Sequence, residues 1–178
     1  MLRRFLRIVI IKFRILLYRF LSDKNIVNGS YICKSPIYTL GNGKVIFENV
    51  ELGVLKSPPF SPPIFFNPRN KDSVIHISTE TKINVGVQII SEDCKVSIGT
   101  GCFIGEGVLI ISSDFHGILK DDINSIRGSG GQGDIFIEDN VFIGSRAIIF
   151  KGVTIGKGAT ISAGSRVYKN VDSFSIHK

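Results

Sequence analysis

Three histidines are the side chains in this sequence best able to move a proton near neutral pH, and they sit in very different surroundings. His116 lies in ISSDFHGI, on a polar stretch that interrupts an otherwise regular pattern, with Asp114 two residues before it. An imidazole on a loop can act as a general base toward a hydroxyl, and a neighbouring carboxylate can orient the ring or stabilise the imidazolium. Asp114 has an equal claim as an ordinary turn residue. His76, in VIHIS, has the setting of a strand residue and is read as structural, while His177 is next to last and is read as disordered. Cys33, Cys94 and Cys102 lack CxxC spacing and a matching histidine cluster, so neither a disulfide framework nor a zinc site is expected. They read as reduced thiols of a cytosolic protein. No cysteine or serine sits in a recognisable nucleophile motif. The run GSGGQG (128–133) is not followed by GK[ST], so it reads as a flexible hinge and not as a phosphate loop.

What positions these residues is a repeat. Ile137, Ile143, Ile149, Ile155, Ile161 and Val167 recur every six residues without a slip. Four positions after each stands a second small or branched residue: Val141, Ala147, Val153, Ala159, Ser165 and Val171. A period of six is neither the 3.6 of a helix nor the 2 of an ordinary strand. It is the signature of a parallel β-helix, in which three hexapeptides make one triangular coil of about 18 residues and the first residue of each points inward. Ile98, Ile104 and Ile110 carry the same beat in IGTGCF-IGEGVL-II, and Ile77, Ile83 and Ile89 carry it earlier. Ile46 and Leu52, one step apart, are expected to open the first coil. Residues 22–45 fit no pattern.

The interruptions matter more than the beat. SPPFSPPIFFNP (57–68) has prolines that exclude a central strand, so it is expected to leave the coil as an ordered loop. From Ile110 to Ile137 is 27 residues, which six does not divide. A second loop is therefore expected over 112–136, and it carries His116. Loops on a rigid repeat scaffold are where chemistry is usually placed.

The charge is unevenly placed. The net charge is +7, and residues 1–21 supply Arg3, Arg4, Arg7, Lys12, Arg14 and Arg19 with no acid. Taking these six from 22 basic residues leaves 16 against 15 acidic ones, so the body is nearly neutral. A nucleic-acid partner would call for basic residues over the folded surface and is not expected. The segment is interrupted by charge too often to span a bilayer and has no signal-peptide cleavage site. On a helical wheel Phe5, Leu6, Val9, Phe13, Leu16, Leu17 and Phe20 form one face, with Arg3, Arg4, Arg7 and Arg14 opposite. That is a basic amphipathic helix suited to an anionic membrane surface, although packing on the body or on a neighbouring subunit is the alternative.

The segment IEDNVFIGSRAIIFKGVTIGKGATISAGSRVYKNV (137–171), with the upstream DFH loop, resembles the hexapeptide-repeat acyltransferases, in particular the maltose, galactoside and surface-polysaccharide O-acetyltransferases. The resemblance is strongest over 96–172, extends back to 46, and does not reach 1–21. It implies an all-β left-handed parallel β-helix, here with an N-terminal amphipathic α-helix (1–21) and an acyltransferase body (22–178). It also implies a homotrimer that uses acetyl-CoA as co-substrate and no metal. By this resemblance His116 is the general base on the protruding loop. Phe142 takes a place often held by Trp, lining a cofactor groove between neighbouring subunits. Ser145 presents its backbone N–H to the thioester carbonyl, Ala163 and Gly164 form the small pair beside the pantetheine, and Lys169 lies near the nucleotide end. Tyr168 replaces a common Thr. The family often continues with an NPAK-like segment and a short helix where this sequence ends at SFSIHK, which leaves either a naturally absent cap or a shortened chain.

The implied reaction is O-acetylation of a sugar hydroxyl in a bacterial surface polysaccharide or its lipid-linked precursor. It would be carried out in the cytoplasm at the inner face of the membrane. The alternatives are N-acetylation of a nucleotide-linked amino sugar, which gives the basic helix no purpose, and a non-catalytic β-helix scaffold at a membrane.

Overall fold

A computed structural model describes residues 2–54, 57–116, 118–122, 124–125 and 130–178. The chain opens with α1 (Leu2–Leu21) and then winds through six three-stranded coils. The first is β1 (Ile26–Asn28), β2 (Tyr31–Cys33) and β3 (Ile37–Thr39), and the second is β4 (Lys44–Phe47), β5 (Val50–Leu52) and β6 (Ile64–Pro68). The third is β7 (Val74–Ile77), β8 (Lys82–Ile83) and β9 (Gln88–Ser91), and the fourth is β10 (Lys95–Ile98), β11 (Phe103–Ile104) and β12 (Leu109–Ile111). The fifth is β13 (Ile135–Ile137), β14 (Phe142–Ile143) and β15 (Ile148–Ile149), and the sixth is β16 (Thr154–Ile155), β17 (Thr160–Ile161) and β18 (Arg166–Val167). A last strand, β19 (Ile176–His177), lies on β17.

Every third strand pairs in parallel with the one above it, which gives three sheets around a triangular prism. The first face holds β1, β4, β7, β10, β13 and β16, the second runs from β2 to β19, and the third runs from β3 to β18. This is the expected left-handed parallel β-helix with one N-terminal helix.

The six-residue beat becomes three apolar columns. Ile77, Ile98, Ile137 and Ile155 stack on the first face. Leu52, Ile83, Ile104, Ile143 and Ile161 stack on the second, and Phe66, Ile89, Ile110, Ile149 and Val167 on the third. All are buried. The second residue of each repeat, Val141 through Val171, is buried at the corners. Corners also need one left-handed residue per step. Asn140, Arg146, Gly152, Gly158 and Gly164 supply it at six-residue intervals, with φ of 57, 61, 72, 67 and 75°.

Four expectations are corrected. The first coil starts at Ile26 rather than Ile46, from residues that showed no repeat. Ile46 itself points outward beside His76, because Val45 and Phe47 take the inward positions of β4. The Pro-rich loop ends at Pro63, since Ile64–Pro68 is the strand β6, paired with both β3 and β9. Pro68 is tolerated because β3 ends at Thr39, opposite Phe66, so its missing N–H breaks no ladder bond. His177 is held in β19, where its carbonyl accepts the Ser162 N–H at 2.9 Å. The large excursion ends where β13 begins at Ile135, two residues early.

α1 docks by the side opposite to its apolar face. Arg7, Ile10, Ile11, Arg14, Ile15 and Tyr18 are the half-buried residues, and none is fully buried. Arg14 donates to the carbonyls of Pro59 (2.6 Å) and Ser61 (2.9 Å), and Tyr18 meets Tyr38 edge-on. Phe5, Leu6, Val9, Phe13, Leu16, Leu17 and Phe20 all face away from the coil and are exposed. Met1 lies outside the described residues. Among those described, no helix is long and apolar enough to cross a membrane.

Candidate active site

The corner between the third and first faces carries the excursion after β12. Its two ends are tied together before they rejoin the prism. Ser113 bridges Gln132 in antiparallel fashion. Asp114 N–H donates to Gly131 O (3.1 Å), and Gly133 N–H donates to Ser112 O (2.9 Å). Gly130 is required by proximity, because a Cβ there would stand 2.1 Å from the His116 carbonyl oxygen. Residues 117, 123 and 126–129 lie outside the described residues, including Gly128 and Ser129 of the run read as a hinge.

The coil before the loop braces it from one side. The carboxylate of Glu92 is buried and accepts the Ser113 hydroxyl at 2.6 Å. Ser113 Oγ in turn accepts the Phe115 N–H at 2.9 Å, and Glu92 N–H donates to Ser112 Oγ. Arg69 lies 3.7 Å from Glu92 and places its guanidinium 4.3 Å from the centre of the Phe115 ring. Phe115 has a φ of 67°, costly for a phenylalanine, and these contacts hold it there. The left-handed turn delivers the next residue, His116, exposed at the edge of the prism.

The coil after the loop braces it from the other side. Lys151 follows β15 at the same corner, one coil on, and its ammonium donates to Asp114 Oδ2. The same oxygen accepts Gly131 N–H at 3.0 Å. Asp114 is therefore held below the usual carboxylate range, first by the Lys151 hydrogen bond, against an opposing push from burial. The Gly131 N–H and the charges of Lys151 and His116 add to the lowering. Asp114 thus couples to His116 through charge while its hydrogen bonds to Lys151 and Gly131 fasten the loop base.

The other expected site residues divide between two edges. Tyr168 and Lys169 lie at the His116 edge, with Tyr168 stacked on Phe150 at 4.3 Å. Ser145, Ala163 and Gly164 line the edge between the second and third faces, and Phe142 stands on the second face stacked on Phe103. Within one chain the third face separates His116 from Ser145. Ser145 is exposed, and its N–H donates to no described group. Gly164 adopts a φ of 75°, and a Cβ there would meet nothing within 4 Å, so backbone is open to a ligand at this edge. Ala163 and Lys169 are exposed as well. The spare N–H and open backbone of this edge fit an extended thioester cofactor, while the cation suited to its phosphate end, Lys169, stands on the other edge. No group of three or more metal-ligating side chains occurs among the described residues.

Arg69, Glu92, Ser113 and Lys151 escaped the sequence reading. Lys151 was findable by counting, because it occupies the corner position one coil after the excursion. Glu92 sits in the nine-residue slip between Ile89 and Ile98, which marks an enlarged corner.

A protein-family profile described as a hexapeptide repeat of succinyl-transferase matches residues 135–169. A polysialic acid O-acetyltransferase of Escherichia coli O1:K1 / APEC is 37% identical over 79 residues, 44% of this chain and 25% of that protein. The chain thus spans about a quarter of the curated relative it matches. Among solved structures, the polysialic acid-specific acetyltransferase NeuO is 26% identical with a TM-score of 0.58, covering 84% of this chain and 76% of NeuO. A hexapeptide-repeat acetyltransferase of Vibrio cholerae O1 biovar eltor, complexed with acetyl-CoA, is 27% identical with a TM-score of 0.52. That match covers 57% of this chain and 54% of the Vibrio protein.

Proposed function

We propose that this chain is an acetyl-CoA-dependent O-acetyltransferase that modifies a sugar hydroxyl of a bacterial surface polysaccharide or of its lipid-linked precursor. The observation that carries the reading is the braced excursion. Two neighbouring coils lock a loop of otherwise unrepeated sequence so that an exposed imidazole, His116, stands at a prism edge. The similarity to a polysialic acid O-acetyltransferase supports the donor and acceptor classes.

In this reading His116 accepts the proton of the acceptor hydroxyl as its oxygen attacks the thioester carbonyl, and returns it to the departing CoA thiolate. The Ser145 N–H faces the negative charge that develops on the carbonyl oxygen. Asp114, fastened by Lys151, keeps a fixed negative charge near the imidazolium. Because His116 and Ser145 occupy different edges, both reach one substrate only when two copies meet, and a closed homotrimer satisfies this with three equivalent sites. Phe142, Ala163, Gly164, Tyr168 and Lys169 then line the groove between copies. Residues 1–21 hold the trimer on the cytoplasmic face of an anionic membrane, and residues 22–178 carry out transfer.

His116→Ala should lower acetyl transfer to polysialic acid or another surface glycan by about 10²–10⁴-fold, read as CoA thiol release, while assembly is unchanged by light scattering. Undiminished turnover in that variant would sink the mechanism. Mass spectrometry of the surface glycan with and without the protein identifies the acceptor, and acetylated amines in place of esters would replace this reading with N-acetylation.

A further inference from the structure

The prism is closed above by β19 but opens below onto a cavity of about 630 Å³ between the first coil and the last turns of α1. That volume is in the range of sites that hold small molecules, roughly 300–1,000 Å³. Its floor is Ile26, Tyr31, Cys33 and Ile37, inward residues of a coil with none beneath it, and Ile15 of α1 forms a wall. Ile26, Tyr31 and Cys33 are only partly covered, whereas their equivalents in the coil stacked directly above, Val45, Val50 and Leu52, are buried.

Among the described residues, most polar groups around the cavity are already engaged, the Tyr31 hydroxyl excepted. The Ser22 hydroxyl donates to Tyr18 O at 2.7 Å and accepts Thr39 N–H at 3.0 Å. Thr39 Oγ1 donates to Asp23 O, Asp23 Oδ2 accepts Gly41 N–H, and Cys33 Sγ donates to Ser35 O. Water in this space therefore finds few open partners, which favours an apolar occupant. The mouth differs in kind. Arg19 and Lys24 stand there exposed, and neither forms an ion pair among the described residues. The last turn of α1 that brings Arg19 to the mouth also carries Phe20, 85% exposed, on the outward apolar face.

We infer that this cavity binds an anionic amphiphile, with its aliphatic chain among Ile15, Ile26, Cys33 and Ile37 and its phosphate at Arg19 and Lys24. A mostly apolar chamber with few open polar groups and two cations free of ion pairs at its entrance is complementary to that ligand and to neither half alone. The chain has two sources, the acyl tail of a membrane phospholipid or the isoprenyl tail of a carrier lipid. The site is independent of the transfer chemistry, so its test reads binding only.

Cys33 lines the cavity, whereas Cys94 and Cys102 are buried elsewhere in the prism, so alkylation of the intact chain by iodoacetamide, followed by mass spectrometry, reports occupancy against internal controls. The reaction is run at mildly alkaline pH, because burial pushes the Cys33 thiol above its ordinary value. Farnesyl phosphate or dodecyl phosphate, below its micelle concentration, should slow Cys33 alkylation about tenfold or more, and inorganic phosphate should not. Arg19→Gln with Lys24→Gln should raise the half-protecting concentration about tenfold, the equivalent of one lost charge-assisted contact or more. Preference for the farnesyl chain assigns a carrier lipid, and preference for the dodecyl chain a membrane phospholipid. Failure of both to protect Cys33, or equal protection by farnesol or in the double variant, overturns the inference.

Discussion

Lys151 does more for the candidate base than its position in a repeat corner foretells. It fastens Asp114, and with it the base of the loop, to the coil that follows. Without it, Asp114 Oδ2 keeps the Gly131 N–H, and the loop keeps its brace from the preceding coil through Glu92 and Arg69. The pair is partly exposed, so its net stabilisation is small, about 1 kcal/mol or less. The effect on turnover should be larger, because misplacing a base slows catalysis steeply. Lys151→Met should therefore lower kcat about tenfold or more while melting within a few degrees of the wild type, and Lys151→Arg should restore part of the loss. The sign of the pH effect follows from the lowered Asp114 pKa. Its folded value lies below the ordinary 3.8, so the stabilisation is complete above that value and is lost as pH falls through the folded value. Thermal melts taken from neutral pH down through this window should show the gap between wild type and Asp114→Asn closing only below about 3.8. A gap that closes at neutral pH would mean that Asp114 is not held ionised by Lys151.

α1 poses the question of what its exposed face meets. Its arginine side supplies the contacts to the coil, through Arg14 and the carbonyls of Pro59 and Ser61. Its phenylalanine and leucine side is left to something else. The four basic residues of the helix that stay exposed, Arg3, Arg4, Lys12 and Arg19, are each worth about 1 kcal/mol near an anionic surface. The full chain should therefore bind phosphatidylglycerol vesicles and ignore phosphatidylcholine ones. Phe13→Glu with Phe20→Glu should abolish binding without altering the melt, since these side chains are 63% and 85% exposed. Sedimentation of the double variant with vesicles at wild-type levels would give the contact to another element. This face was legible in the sequence because amphipathicity survives docking. The docked side was not, since Arg7 and Arg14 read as solvent-facing charge until Pro59 and Ser61 come into view. The coils divide in the same way. Ile98 through Val167 were legible because identical inward positions demand branched side chains at a fixed interval. β1–β3 were not, because an end coil packs on one side only and Tyr31 and Cys33 are tolerated there. At the site, His116 could be found from the broken beat, while Glu92 and Ser113 act through contacts between coils that no linear spacing encodes.

The whole assembly is where the candidate site is completed or fails. A single chain sets His116 and Lys169 on one edge and Ser145, Ala163 and Gly164 on another, with the third face between them. If transfer occurs where the His116 edge of one copy meets the Ser145 edge of the next, two differently crippled chains can repair each other. His116→Ala removes the base and leaves the groove. Ala163→Trp, at an exposed position, fills the groove and leaves the base. Each homotrimer should be inactive. In trimers assembled at random from equal amounts, a working site needs a loop from the second variant facing a groove from the first, and about one quarter of the interfaces in a closed ring satisfy this. Co-expression should thus restore roughly a quarter of wild-type turnover per chain, whereas simply mixing preassembled trimers should restore none until subunits exchange. A site built within one chain allows no such rescue, because no chain in the mixture carries both intact halves. Light scattering on each variant checks that a trimer formed, so an inactive mixed trimer would count against the shared site and not against assembly.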